Sequence, residues 1–424
     1  MKKHLSVVAI LSLATLNAGE FHALGGQNIA MGGAGVASAR GSLASYYNPA
    51  LLATKKGVDV SFGVGIGVRD NNLGEQIDNL SNSNLTDAID NIANNAPNSG
   101  TNRQEDRDTI LESQNTLKSI SDKNGIDVMP TAHLGVQYDN FSMGIYVSSD
   151  ITASVNVDKE RVGFGVKNGD LYFNYDPKND AYTLTDRANY ESTSMEYALN
   201  NKKTTVIAKG LLLTEVPVSY AQTFSFPQGE LSVGGSLKFM SGITYTQTLD
   251  IDSEDTDTLD ENKKDSTNMG IDLGLLFQPT ELSKLQIGLV AKNLNSPSFD
   301  TANGADIKVA PQVRTGLLYS LNDDVDIASD LDLTTNETLI NGFDTQMLGG
   351  GVDYHPVSWF ALRGGLMQNL ANSNDGLVYT AGMALGFEKF QLDISGQMSS
   401  NEGSYGGDNM PKYSRVNVAL VSQW

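Results

Sequence analysis

The segment Tyr413–Trp424, with the sequence YSRVNVALVSQW, decides the fold of this 424-residue chain. Apolar side chains alternate along it with polar or small ones: Val416, Val418 and Leu420 on one face, and Arg415, Asn417 and Ala419 on the other. This alternation has the period of a β-strand that separates lipid from an aqueous lumen. The last residue, Trp424, is of a type concentrated at membrane–water interfaces. The segment predicts the closing strand of an outer-membrane β-barrel; the alternative is the last strand of a soluble barrel or sandwich.

The amino-terminal residues favour the membrane alternative. Two lysines precede a short apolar run over Leu5–Leu16, and small residues follow. This order is typical of a secretory signal peptide, which we expect to span residues 1–18. Cleavage is predicted after about Ala18, with Ala23 as a second candidate. The run is shorter than the ~20 apolar residues that a membrane-spanning helix needs, so we expect export of the chain to the outer membrane.

Composition agrees with an exported barrel and excludes several function classes. The formal charge is -21, from 29 basic and 50 acidic residues, so the chain repels phosphates and direct nucleic-acid binding is not expected. The chain has no cysteine, which excludes disulfides, thiolate metal sites, cysteine nucleophiles and a lipoprotein anchor. A hydrophobic content of 40% with 42 glycines suits strands that are apolar on one face only. No cofactor is predicted.

The chain after residue 53 predicts an all-β, transmembrane antiparallel barrel over residues 54–424. Strand-like segments with alternating polarity recur about fourteen times. They are Gly57–Arg69, Ile126–Tyr138, Phe141–Val157, Thr204–Phe224, Glu230–Asp250, Ser266–Gln278, Lys284–Lys292, Val309–Ser320, Val325–Thr334, Phe343–Tyr354, Trp359–Gln368, Leu377–Phe387, Phe390–Ser399 and Tyr413–Trp424.

Polar residues at alternate strand positions are expected to line the lumen. We expect the three aspartates of Val325–Thr334 to meet Arg363, and also Arg314 or Lys238. The predicted lumen-lining set is His133, Lys238, Arg314, Asp326, Asp330, Asp332 and Arg363. A catalytic carboxylate pair is the alternative for the aspartates, but the sequence contains neither HExxH nor GxSxG, and no partner for catalysis is identified. The prediction is therefore a protein that is not an enzyme, in which His133 forms a luminal hydrogen bond.

The connections between the strands alternate between short and long, as periplasmic turns and outer loops do in these barrels. The first long loop, residues 70–125, carries apolar residues at helical spacing and predicts two amphipathic helices over Leu73–Asn94 and Arg103–Asp122. Either these helices cover the barrel mouth and admit a ligand, or they form a helical loop that extends into solvent and has no function. The apolar residues expected to meet an entering ligand are Ile77, Leu80, Ile89 and Ile110.

Another long loop, residues 250–261, has acidic residues at a spacing similar to that of an EF-hand. However, Asp255 stands where the turn glycine belongs. We therefore interpret it as a solvated outer loop, leave low-affinity divalent cation binding open, and predict no metal site.

Residues 25–52 read GGQNIAMGGAGVASARGSLASYYNPALL and precede the first strand. The glycine-rich stretch followed by Asn-Pro-Ala resembles the amino-terminal region of the FadL superfamily of outer-membrane long-chain fatty acid transporters. Within it, the chain is most similar to the group named conjugal transfer protein TraF. The resemblance implies that residues 19–53 form a hatch inside the barrel. The residues carrying it are Gly32, Gly33, Gly35, Tyr46, Tyr47, Asn48, Pro49 and Ala50.

The resemblance implies passive uptake of hydrophobic small molecules through a monomeric barrel gated by the hatch. No energy-coupling box is evident near the amino-terminus. The expected partners are outer-membrane lipid, the barrel-assembly machinery acting through the strand that ends at Trp424, and a hydrophobic ligand. The alternative is a structural or surface-interaction protein of conjugal transfer that moves no substrate. The very acidic outer loops depart from the fatty acid transporters, which weakens the fatty acid assignment specifically.

Overall fold

The computed structural model describes residues 16–250, 262–387 and 390–423. Fourteen strands form one closed antiparallel barrel in which each strand pairs with its neighbours in the chain, and the last pairs with the first. In chain order they are β1 Val58–Asn71, β2 Gly125–Tyr138, β3 Phe141–Asn156, β4 Thr205–Phe226, β5 Gly229–Asp250, β6 Lys263–Pro279, β7 Leu285–Lys292, β8 Gln312–Asn322, β9 Val325–Asp332, β10 Met347–Val357, β11 Phe360–Asn369, β12 Leu377–Phe387, β13 Phe390–Ser399 and β14 Tyr413–Gln423.

The predicted barrel is confirmed, including the number of strands. The polarity of the side chains alternates along β14 as a barrel wall requires. Val416 is 60% exposed on the outer surface, whereas Arg415 is 3% exposed and faces inward. Outward apolar residues recur on the other strands and form a continuous belt that suits lipid. The side chain of Trp424 and the turn at residues 388–389 lie outside the described residues.

Two strands begin three or more residues later than predicted, and β6 begins earlier, at Lys263 rather than at Ser266. The strand expected from Val309 begins at Gln312, because Pro311 has no N–H to give to the ladder. The strand expected from Phe343 begins at Met347. In both cases the preceding residues pair in small loop sheets instead. The short loop strands are Leu16–Ala18, Ser298–Phe299 and Ile307–Val309 in one sheet, Asn336–Glu337 with Asp344–Thr345, and Glu402–Tyr405 with Asp408–Pro411.

The first two long loops, residues 72–124 and 157–204, pack together at one end of the barrel and are called the outer cap. It contains helices and a three-stranded sheet around a shared apolar core. Its elements are α3 Gly74–Ser81, α4 Leu85–Asn95, α5 Gln104–Ser119, the strands Gly165–Asn168, Leu171–Asp176 and Ala181–Thr185, and helices α6 Arg187–Thr193 and α7 Met195–Asn200. None of the helices in the described ranges is long and apolar enough to cross a membrane.

One helix prediction in the cap is wrong in detail. The helix expected over Leu73–Asn94 is broken into α3 and α4, with Asn84 in the left-handed conformation at φ 49°. Ser and Asn side chains around this position compete with helical hydrogen bonds, and Asn tolerates the left-handed region. The second helix is confirmed as α5.

Residues 19–53, called the luminal segment, lie inside the barrel. The segment contains α1 Gly26–Ala30, a 3₁₀ turn Gly41–Leu43, α2 Ala44–Tyr47 and a 3₁₀ turn Pro49–Ala53. Between residues 21 and 52 only Arg40 is exposed. A short linker, residues 54–57, connects the segment to the start of β1, at the end of the barrel that carries the short turns.

Glycines of the wall make room for this segment. A Cβ on Gly274 of β6 would overlap the side-chain oxygen of Asn48, and one on Gly349 of β10 would overlap the carbonyl oxygen of Gly32. These glycines allow the backbone of the segment to approach the wall directly. The luminal segment is therefore fitted to notches in the strands.

We predict that Gly274→Ala lowers the free energy of unfolding by about 1–3 kcal/mol, the usual penalty of overpacking. The measurement is urea unfolding of the purified protein in detergent. Gly364→Ala is the matched control, because a Cβ there faces outward with its nearest atom, the Thr380 carbonyl oxygen, at 3.9 Å. Equal stability of the two variants would contradict the notch.

Candidate functional site in the barrel lumen

The Asn-Pro-Ala motif fixes the luminal segment to the wall. The Asn48 amide donates to the carbonyl oxygens of Val36 (2.9 Å) and of Leu275 on β6 (3.0 Å). Its side-chain oxygen accepts from the N–H of Ala50 at 3.0 Å. Pro49 requires the extended backbone that Asn48 has, with φ -160° and ψ 109°, and begins the following 3₁₀ turn. One buried amide thus joins two parts of the segment and the barrel.

The predicted glycines position backbone N–H groups toward the wall. Gly32, at φ 69°, donates to the Thr380 hydroxyl at 3.1 Å. The N–H groups of Gly35 and Val36 both donate to one carboxylate oxygen of Asp330, at 2.8 and 2.9 Å. Asp330 is therefore a luminal residue, as predicted, and its partner is the backbone of the luminal segment. Hydrogen bonds to a charged acceptor are among the stronger ones in proteins.

Tyr46 and Tyr47 hold the beginning of the segment. The Tyr46 hydroxyl donates to the carbonyl oxygen of His22 at 2.8 Å, and the Tyr47 hydroxyl donates to that of Leu24 at 2.9 Å. Burial raises the pKa of Tyr46 and of Tyr47 above the ordinary value, so both hydroxyls remain protonated donors. The two tyrosines couple residues 22–24 to α2.

All seven predicted lumen-lining residues are buried inside the barrel, but most of their predicted pairings are wrong. Arg314 does pair with Asp332, at 2.5 Å. Asp326 instead bonds Arg40 of the luminal segment. The aspartates do not reach Arg363 or Lys238, because neighbouring strands supply closer acids to those cations: Arg363 pairs with Asp353 and Asp393, and Lys238 pairs with Glu215 and Asp272.

His133 differs from the prediction as well. It is 2% exposed, and its Nε2 atom has no hydrogen-bond partner among the residues that the structure describes. Its ring lies against Gly63, where a Cβ would overlap the imidazole Cε1. The expected luminal hydrogen bond is therefore absent at Nε2, and His133 packs against the neighbouring strand.

An ion-pair cluster that the sequence analysis missed holds the outer end of the segment. Arg69 of β1 donates two hydrogen bonds to the carboxylate of Glu20, at 2.8 and 3.0 Å, and one to Asp375 at 3.1 Å. Arg69 is fully buried. Burial alone would raise the pKa of Glu20, but the charge and hydrogen bonds of Arg69 lower it to about 2. The sequence does contain one signal for this cluster. Arg69 is a large cation at an inward position of a strand whose other luminal side chains are small.

His22 makes a second missed contact. Its Nε2 lies 3.2 Å from a carboxylate oxygen of Asp150 on β3. Burial lowers the pKa of His22, but the charge and hydrogen bond of Asp150 raise it above its ordinary value of 6.5. Glu20 and His22 thus attach the segment to opposite charges on β1 and β3.

The residues expected to meet an entering ligand lie in the outer cap. Ile89 and Ile110 are buried in its apolar core, and Ile77 and Leu80 are partly buried against that core. In this conformation they stabilise the cap rather than form an exposed surface. A role in admitting a ligand stays a prediction that requires the cap to open.

Two of the cavities lie at opposite ends of the barrel. The outer one, about 510 Å³, is lined by the cap, the ends of β3 and β4, and residues 337–344. The other, about 390 Å³, opens among the short turns and is lined by Arg40, Lys55 and His355. Residues of the luminal segment line the second cavity, whereas the first lies among the loops, where the Gly19 N–H donates to the carbonyl oxygen of Glu337.

Among the described residues, no group of three or more His, Asp or Glu side chains is arranged to hold a metal ion. The loop at residues 251–261 lies outside the described residues, so its cation binding stays untested.

Comparison with known families fits this architecture. Residues 45–332, more than half of the chain, match the family described as F plasmid transfer operon, TraF, protein. The chain belongs to this TraF family. A comparison with curated proteins found no match.

This TraF-family chain shares its barrel fold with one solved structure and is less similar to two others. The monoaromatic hydrocarbon channel CymD gives a TM-score of 0.51 at 13% identity, covering 96% of this chain and 99% of that one. The toluene transporter TbuX of Ralstonia pickettii gives 0.49 at 14%, covering 95% and 99%. A Pseudomonas aeruginosa FadL homologue gives 0.45 at 12%, covering 96% and 98%.

We predict that the contribution of Glu20 to stability depends on pH. Because its pKa is depressed in the folded state, the stabilisation is fully present above pH 4.5 and is lost as the pH falls toward 2. The loss is on the order of 3 kcal/mol. Urea unfolding between about pH 6 and about pH 2 measures this loss, because the range spans the pKa of Glu20 in the unfolded and in the folded state. Glu20→Gln removes this component; an unchanged pH profile in that variant would contradict the assignment.

Proposed function

We propose that the protein is an outer-membrane barrel for passive uptake of hydrophobic small molecules, with the luminal segment as its hatch. One observation carries this proposal. Between residues 21 and 52 of the segment only Arg40 is exposed inside the barrel, yet the covalent connection of the segment to the wall is the short linker of residues 54–57 at its carboxyl end. Its remaining attachments are hydrogen bonds, ion pairs and side-chain packing, which a conformational change can release.

The proposed substrate class rests on the chemistry of the outer surface of the barrel and on similarity to a solved structure. The belt of outward apolar residues suits a bilayer, into which hydrophobic molecules partition. The neighbour of the same fold, CymD, is described as a monoaromatic hydrocarbon channel. We infer small hydrophobic molecules, aromatic ones included, as the class that crosses this barrel.

The same proposal includes a signal peptide cleaved after Ala18. Cleavage there keeps Glu20, Phe21 and His22 in the mature chain, and each of them has a specific partner in the lumen. Cleavage after Ala23 would remove all three and leave Arg69 without its bidentate acid. Removing one partner of a buried ion pair typically costs about 3–5 kcal/mol, which favours the earlier site.

We predict that deletion of Gly25–Leu52 raises ionic conductance in planar bilayers from near closure to a persistent open channel. The reason is that this stretch occupies the lumen, and a barrel of fourteen strands has room for an aqueous passage once it is empty. Heat-dependent gel mobility controls for barrel folding.

A folded deletion variant with unchanged conductance would contradict the hatch. Native mass spectrometry of the full-length protein, incubated with toluene and with a fatty acid, then tests the substrate class. A protein that remains empty under both conditions would favour the structural or surface-interaction alternative.

A further inference from the structure

Four of the cavities form a series along the inside of the barrel wall. The outer one, about 510 Å³, is lined by Lys209 on β4. The next luminal residue of that strand, Leu211, lines a second cavity of about 30 Å³. Glu20 of the luminal segment lines this second cavity and also a third one of about 30 Å³. The fourth is the cavity of about 390 Å³ among the short turns. The series therefore extends from one end of the barrel to the other.

One luminal level of the wall separates the third cavity from the fourth. On β14, Arg415 lines the third cavity and Ala419 lines the fourth. Side chains on one face of a strand repeat every second residue, about 7 Å apart. Asn417 is therefore the one luminal residue of β14 between the two cavities, and Ser395 of β13 is paired with it.

This level has buried polar atoms without protein partners. Ser395 is 4% exposed and Asn417 is 2% exposed. Among the described residues, the Ser395 hydroxyl and the Asn417 side-chain oxygen have no hydrogen-bond partner, and neither do Arg415 Nε nor His133 Nε2, two strands away on β2. Buried polar atoms are unfavourable unless they are hydrogen-bonded. Water is the usual partner in such polar sites.

The glycines of β1 make room beside the same level. The luminal positions in the middle of this strand are Gly63, Gly65 and Gly67, and Gly65 is paired with Asn417. A Cβ on Gly65 would lie 3.1 Å from both the Asn417 amide nitrogen and the Thr131 hydroxyl. Polar atoms of the two neighbouring strands therefore border this part of the wall, where a larger luminal side chain on β1 would otherwise stand.

We propose that the series of cavities is a water passage, which crosses the barrel beside the luminal segment in the position that the structure shows. A cavity of about 30 Å³ holds about two waters, since each needs about 10–15 Å³. Benzene, in contrast, occupies an engineered cavity of about 150 Å³. The passage thus carries water and excludes the proposed hydrophobic cargo. It does not depend on the proposed uptake, because it requires no movement of the segment.

Ions are not expected to follow the water. A cation must pass Arg415, whose guanidinium stays protonated, and a fixed arginine excludes cations and protons from water-selective pores. An anion must pass Glu20, which lines both small cavities. Either ion would also lose its hydration shell in a space of this size, which is costly inside a protein. The passage therefore combines water permeability with low ionic conductance.

The test is stopped-flow light scattering of proteoliposomes that contain the full-length protein, after an osmotic step with sucrose. Ser395→Val replaces the free hydroxyl at the connecting level with methyl groups, so we expect loss of the protein-dependent water permeability. Ser414→Val is the matched control, because Ser414 lies on the outward face of the neighbouring strand β14. This control should keep the water permeability of the unmodified protein.

Ala419→Leu is a second block that covers the case in which Ser395→Val fails to fold. Ala419 lines the cavity of about 390 Å³, which has room for a larger side chain. This variant should also lose the protein-dependent water permeability, and heat-dependent gel mobility verifies the folding of each variant. Glycerol is larger than water and should not pass through any of these proteins.

Full-length protein that adds no water permeability to the vesicles would overturn the proposal, and so would folded block variants that retain it. Passage of glycerol would indicate a leaking barrel and contradict the narrow passage. Toluene efflux from the same vesicles tests the uptake function separately. Water permeability without toluene flux would refute uptake and leave the passage standing. Toluene flux that disappears with the water in Ser395→Val would contradict a separate passage.

Discussion

Closure of the hydrogen-bonded wall is the constraint on which the rest of the structure depends. In lipid, unpaired backbone N–H and C=O groups have no water to bind, so the strands must pair around a complete ring. Pairing of β14 with β1 over Asp59–Arg69 removes the last free edges. Once the ring is closed, the two-residue period assigns each side chain either to lipid or to the lumen. Everything placed inside must then satisfy its polar groups within the barrel.

The luminal segment meets that requirement by binding the wall through backbone and side-chain groups together. Asn48 bonds β6, the N–H groups of Gly35 and Val36 bond Asp330, and Glu20 bonds Arg69. Glycine notches bring the chain close enough for these contacts. The lumen is consequently polar near the wall and aromatic around Phe21. This combination packs the segment tightly against the wall through contacts that are individually reversible.

The sequence predicts the wall well because its signal is local. The contrast between Val416 and Arg415 is visible in neighbouring residues, and so are the turns that end each strand. It predicts the Asn-Pro-Ala motif through resemblance, and the backbone of Asn48 follows from the proline after it. The contacts of the luminal segment are not local in the sequence, since Arg69 and Glu20 lie 49 positions apart.

Those contacts depend on how the segment folds within the lumen, which no strand pattern specifies. Asp326 illustrates the difficulty, because its partner Arg40 belongs to the segment and not to a neighbouring strand. The break at Asn84 was a local feature, but apolar spacing alone did not distinguish one long helix from two short ones. The helical spacing of Ile89 and Ile110 indicates an apolar helix face. It does not indicate that residues 157–204 of the second loop cover that face.

The seam of the barrel has a consequence for the order of assembly. The strand that follows the luminal segment, β1, is also the strand with which the last one, β14, must pair. The carboxyl-terminal strand therefore completes the wall directly beside the point from which residues 19–53 turn inward. A cylinder sealed before those residues were inside would have to admit a folded, charged chain through its end. Enclosure of residues 19–53 during the final strand pairing avoids that step.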